Sequence, residues 1–110
     1  MVYLICFERP YKRVRHYAGS TNNLTQRMKE HARGKGARLM EVITEAGIRW
    51  QLVSVWTGGR KEERAFKNQK NAASMCPLCR PAYLERRNAQ ARTRYARSLE
   101  QQQAELKEAA

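Results

Sequence analysis

Short apolar runs alternate with polar breaks along the first half of the chain. Val2-Tyr3-Leu4-Ile5-Cys6-Phe7 is β-branched and aromatic without a breaker, and it predicts a first strand over Val2–Phe7. Glu8-Arg9-Pro10-Tyr11-Lys12 predicts a polar turn. Val14 to Ala18 predicts a second strand, ended by Gly19-Ser20-Thr21, so the two strands pair as a hairpin with a longer loop. A helix follows, capped by Thr21 or Asn22, with Leu24, Met28 and His31 at helical spacing and Gly34 and Gly36 as its stop. Ala37 to Ala46 predicts a second helix, with Leu39, Val42 and Ile43 on one face and Gly47 at its C-terminal end. Trp50 to Trp56 predicts a third strand, broken by Gly58-Gly59, and Lys61 to Lys70 a charged helix.

Beyond Cys76-Pro77-Leu78-Cys79, a tight turn, the composition changes. From Tyr83 to Ala110 the chain is rich in Ala, Glu, Gln and Arg, which favour helix. Leu84, Ala91, Tyr95, Leu99 and Leu106 form a narrow apolar stripe through which two copies could pair. The stretch from Glu100 onward is expected to fray. The expected fold is α+β: a small three-stranded antiparallel sheet flanked by helices, with a C-terminal helical tail. The expected division is a compact domain over 1–75 and a CxxC turn with a basic helical tail over 76–110.

Charge narrows the function. Lys plus Arg number 22 against 10 Asp plus Glu, a net charge of +12 in 110 residues. That excess favours a polyanionic partner, a nucleic acid above all, through phosphate contact and counterion release. No stretch is apolar enough to span a membrane, and the first residues lack the basic region and cleavage site of a signal peptide. The three cysteines suit a reducing compartment, so an intracellular, cytoplasmic protein is expected.

The residues able to carry chemistry are Tyr3, Tyr17, Arg27, His31 and Glu63. The hairpin brings Tyr3 and Tyr17 together, and Arg27 and His31, four apart, share one helix face. Each alone has an ordinary reading as core tyrosine, solvated arginine, structural histidine or surface ion pair. Together, an acid, an arginine and phenols suit phosphodiester hydrolysis: a carboxylate holds a divalent cation, and an arginine meets charge developing on phosphate.

Met1-Val2-Tyr3, Tyr17-Ala18-Gly19-Ser20-Thr21, Leu24, Arg27, His31 and the helix bearing Glu63, Ala65, Phe66 and Lys67 resemble, in order, the motifs of the GIY-YIG nuclease family. The resemblance covers roughly residues 2 to 71. Met1 stands where the first motif has glycine, and Ala18 where the second has isoleucine. The resemblance implies a metal-dependent DNA endonuclease of a bacterial, phage or plasmid setting, using one Mg²⁺ or Mn²⁺ at Glu63. It implies that Tyr3 and Tyr17 bind or activate the attacking water, either being the base. It further implies that Arg27 stabilises the phosphate, that His31 accepts a proton or binds phosphate, and that Gly19 permits close packing. Glu62 competes with Glu63 for the metal; the Glu63-x-x-x-Lys67 spacing favours Glu63. Lys67, Asn71, Arg86, Arg87 and Arg92 are candidates for substrate binding. Members of the family commonly carry a separate sequence-reading domain, so specificity is expected here from the catalytic domain, the tail or self-association. The alternatives are a non-catalytic nucleic-acid-binding module on the same fold and a zinc-organised adaptor. Zinc on Cys76 and Cys79 is disfavoured, because no second CxxC or CxxH follows and His16 and His31 are counted with the candidate site.

Overall fold

The computed structural model describes residues 1–109. The elements run β1 (Val2–Tyr11), β2 (Val14–Ser20), α1 (Leu24–Ala32), α2 (Arg38–Glu45), β3 (Trp50–Trp56), α3 (Arg60–Gln69), α4 (Ala72–Met75) and α5 (Arg80–Ala109). The three strands form one antiparallel sheet in the order β2-β1-β3, so the α+β architecture is as expected. β1 lies in the middle and is covered on both faces, which is why its first six residues are uniformly apolar instead of alternating. On one face Tyr3, Ile5 and Phe7 pack with Met40, Ile43 and Ile48. On the other, Leu4 and Cys6 pack with Ala18, Phe66 and Cys76. Phe66 brings α3 onto that second face, its ring centroid 5.1 Å from that of Trp56.

β1 continues through Tyr11, where a polar turn was expected. Its pairing with β2 is irregular between Cys6 and Tyr11, and Pro10, which has no N–H to donate, falls in that irregular stretch. The Glu8 N–H donates to the Arg49 carbonyl at 2.8 Å, and the Arg15 guanidinium to the Glu8 carbonyl at 2.9 Å. The turn shrinks to Lys12 and Arg13, with Lys12 in the left-handed region at φ 55°. The N-cap of α1 is Asn23, neither Thr21 nor Asn22: its side-chain oxygen accepts the Gln26 N–H at 3.1 Å, while Thr21 Oγ1 accepts the Asn23 N–H.

α5 begins at Arg80, three residues before the change in composition, because Pro81 is tolerated in a helix's first turn. It stays helical to Ala109, where fraying from Glu100 was expected. Its 30 residues reach roughly 45 Å. The radius of gyration is 20.2 Å, against about 13 Å for a compact chain of this length. The helix therefore projects from the domain, leaving Tyr95, Leu99 and Leu106 exposed. Among the described residues, no helix is long and apolar enough to cross a membrane.

Candidate active site

β2 is one of the two edge strands, and the candidate residues approach it from both sides. Register places Tyr3 opposite Gly19 and Ile5 opposite Tyr17, so Tyr3, Tyr17 and Gly19 share one face of the hairpin. The rings of Tyr3 and Tyr17 lie 6.1 Å apart. Gly19 is required there by space: a Cβ would stand 2.6 Å from Tyr3 Cζ, inside the van der Waals radius of a fully buried ring.

α1 closes this face. His31 is completely buried, its ring 5.8 Å from Tyr3 and 5.4 Å from Tyr17. Its Nδ1 lies 3.1 Å from the Lys35 carbonyl and its Nε2 2.8 Å from Tyr3 Oη. A carbonyl only accepts, so Nδ1 carries the proton, and Nε2 is left to accept the bond that Tyr3 donates. Burial, with Arg27 adding to it, holds His31 below its ordinary value of 6.5, which keeps the ring neutral in that role. Burial and the neighbouring Tyr17 push the Tyr3 phenol up, and Arg27 works against them. Arg27 donates to Glu30 at 3.2 Å; its Nε is buried without a partner, while the side chain as a whole stays one-third exposed, at 32%.

From the opposite face α3 brings Glu63. Ser20 Oγ donates to Glu63 Oε2 and Lys67 Nζ to Glu63 Oε1, each at 2.8 Å. Burial pushes this carboxyl up, but the bonds from Lys67 and Ser20 outweigh it and hold it below the usual range. Lys67 also lies 5.7 Å from the centre of the Tyr17 ring and so links the two sides of the edge strand. Glu62 faces elsewhere: its Oε2 accepts the Gly59 N–H at 2.8 Å and closes the first turn of α3. An ionised, oriented carboxylate with hard oxygen donors suits a magnesium or manganese ion, which binds through one or two carboxylates together with substrate phosphate and water.

A cleft of about 380 Å³ runs over this edge, lined by Tyr17, Lys67, Lys70, Asn71 and His16 among others. Asn71 Oδ1 is buried there without a hydrogen-bond partner. Arg86, Arg87 and Arg92 lie exposed on α5. Arg86 borders a different cleft, with Arg13, Arg15 and Cys79.

Sequence reasoning missed Ser20 and Lys35. Ser20 lay within the motif already quoted, so its hydroxyl was a visible candidate; Lys35 acts through its carbonyl, which no side-chain pattern reveals. His16 was counted with the phenols, but it pairs in register with Cys6 on the opposite face of the hairpin, together with Cys76 and Cys79. The CxxC therefore has two further ligand-bearing neighbours, supplied by residues upstream of it.

A family model described as the GIY-YIG catalytic domain matches residues 1–75. No curated protein and no solved structure matches the chain.

Proposed function

Because the chain belongs to the GIY-YIG family, a family of nucleases, we propose that it is a divalent-metal-dependent endonuclease that hydrolyses DNA phosphodiester bonds. The observation that carries this reading is the buried Tyr3–His31 hydrogen bond of 2.8 Å, with His31 turned by the Lys35 carbonyl so that it accepts from the phenol. A phenol titrates near 10 in water, so a tyrosine that takes a proton from attacking water needs an acceptor for its own; His31 Nε2 is that acceptor. Tyr3 is fully buried, so Tyr17, only partly buried, is the phenol that meets the attacking water, and as it takes that proton its own passes to Tyr3, whose proton goes to His31 Nε2. Arg27, its side chain partly exposed, meets the phosphate as its charge grows. Glu63 holds the cation, oriented by Ser20 and Lys67. A magnesium or manganese ion bound there supplies Lewis-acid polarisation of the phosphoryl oxygen and makes nearby water more acidic. Lys67, Lys70 and Asn71 line the cleft that receives the DNA backbone, and the arginines of α5 extend the positive surface beyond it.

The test uses a panel of supercoiled, linear, single-stranded and branched DNA, with Mg²⁺, Mn²⁺ or EDTA. Wild type should cut at least one substrate with metal and none with EDTA. Tyr3→Phe and His31→Ala should each lower the rate by about 10²–10⁴-fold, and the double variant by no more than the worse single one, as expected of groups acting as a unit. Binding without cutting by folded wild-type protein would favour the non-catalytic module.

A further inference from the structure

We infer that Cys6, His16, Cys76 and Cys79 form a structural zinc site that fastens the basic helix α5 to the β1–β2 hairpin. Cys6 and His16 are cross-strand partners, so they stand side by side on one face. Cys76 and Cys79 flank the turn between α4 and α5, and Cys76 packs into the same core as Leu4 and Cys6. One ligand atom from each of the four residues lies within 4.8 Å of the others.

The spacing suits a single tetrahedral ion. Zinc–sulfur bonds of about 2.3 Å at the tetrahedral angle set the sulfurs about 3.8 Å apart; Cys6 Sγ and Cys79 Sγ are 3.6 Å apart. An iron–sulfur cluster spreads its thiolates over different irons and needs wider spacing. Three thiolates and an imidazole are a soft, borderline set that selects zinc over magnesium or calcium.

Two further observations point to a ligand. His16 Nε2 is buried with no hydrogen-bond partner, so a polar atom stands unsatisfied inside a cluster of thiols, where a metal bond would satisfy it. The surrounding charge also fits. Zinc(II) with three thiolates and a neutral imidazole carries one negative charge, and the adjoining cleft brings Arg13, Arg15 and Arg86 beside His16 and Cys79. Cys79 also sits at the N-terminus of the 30-residue α5, its carbonyl accepting the Tyr83 N–H at 3.0 Å; that end of a helix suits the net negative charge of such a site. Cys79 is only partly buried, which leaves an entry path.

The consequence is mechanical. α5 packs on α4, a helix of only 4 residues. Four ligand bonds across hairpin and linker would set the direction in which the arginine-rich helix leaves the domain. This site is distinct from Glu63 and does not depend on the nuclease reading.

The test is metal analysis of the full chain purified without chelator, together with cobalt(II) loading of the stripped protein and thiol counting. About one zinc per chain is expected, with a thiolate-to-cobalt charge-transfer band and tetrahedral cobalt absorption. Thiol reagent should react slowly until a zinc chelator is added, and zinc removal should speed proteolysis between α4 and α5. Cys79→Ser and His16→Ala should bind zinc at least about tenfold more weakly; if either misfolds, the wild-type cobalt spectrum and thiol protection still decide. Fast thiol reaction with or without chelator, no cobalt charge-transfer band, a Cys6–Cys79 disulfide, or a stoichiometric metal other than zinc would overturn the site. Unchanged proteolysis after zinc removal would overturn the fastening role.

Discussion

Tyr3 and Cys6 lie three residues apart on β1 and face opposite ways into different chemistry. On the Tyr3 face, phenols, a hydrogen-bonded histidine and an arginine lie together, and the packing partners come from α1 and α2. On the Cys6 face, three sulfurs and a histidine gather against α3, α4 and the start of α5. The strand's period of two separates them, so neighbouring residues of one apolar run face the proposed acid–base site and the proposed soft-metal site on opposite sides of the sheet. The carboxylate of the candidate active site comes from the Cys6 side, through Ser20 and Glu63, and reaches the phenols over the edge of β2. An edge strand is the one place in this sheet where both faces can act on one substrate.

Substitutions that strike one face only sharpen that contrast. Phe66→Ala removes the aromatic anchor of α3 and should cost about 3–5 kcal/mol in chemical denaturation. That is a large share of a small domain's stability, and cleavage should fail with it because α3 carries Glu63. Gly19→Ala presses a methyl into the buried Tyr3 ring and should cost about 1–3 kcal/mol, read as a lower melting temperature. Zinc content should stay intact, since Gly19 belongs to the other face; zinc lost in step with activity would break the separation.

pH acts next. His31 is held below 6.5 by burial, so between that lowered value and 6.5 the unfolded chain binds more protons than the folded one. Stability is then fully present above 6.5 and falls as pH drops through that window. Melts below pH 6.5 should decline, less steeply in His31→Gln; a flat wild-type profile would contradict a neutral His31. Smallest is Asn23→Ala, which removes the cap of α1 and should cost about 1 kcal/mol by urea titration.

Much of this was legible beforehand because apolar runs report burial directly. Val2–Phe7 and Trp50–Trp56 are strands as read, and the helices carrying Arg27, His31 and Glu63 stand where spacing put them, although α1 is capped by Asn23 and neither Thr21 nor Asn22. The continuation of β1 through Pro10 was hidden, because an irregular pairing tolerates the residue that normally signals a break. The Glu63-x-x-x-Lys67 spacing already favoured Glu63 over Glu62, but the contact of Glu63 with Ser20 depends on the phase of α3 relative to β2, which no local pattern contains. The partners of Cys76 and Cys79 were hidden for a related reason. Spacing rules search along the chain, whereas Cys6 and His16 become neighbours only through cross-strand register and meet the CxxC only after α3 and α4 fold back.

The most direct measurement compares Mg²⁺-dependent DNA cleavage by Glu63→Gln and Glu62→Gln, adjacent carboxylates that face Ser20 and Gly59 respectively. Glu63→Gln should lose at least about a hundredfold in rate, as expected when several kcal/mol of metal-assisted stabilisation disappear, while Glu62→Gln keeps cutting. Wild-type rates in folded Glu63→Gln, or equal loss in both variants, would contradict the account.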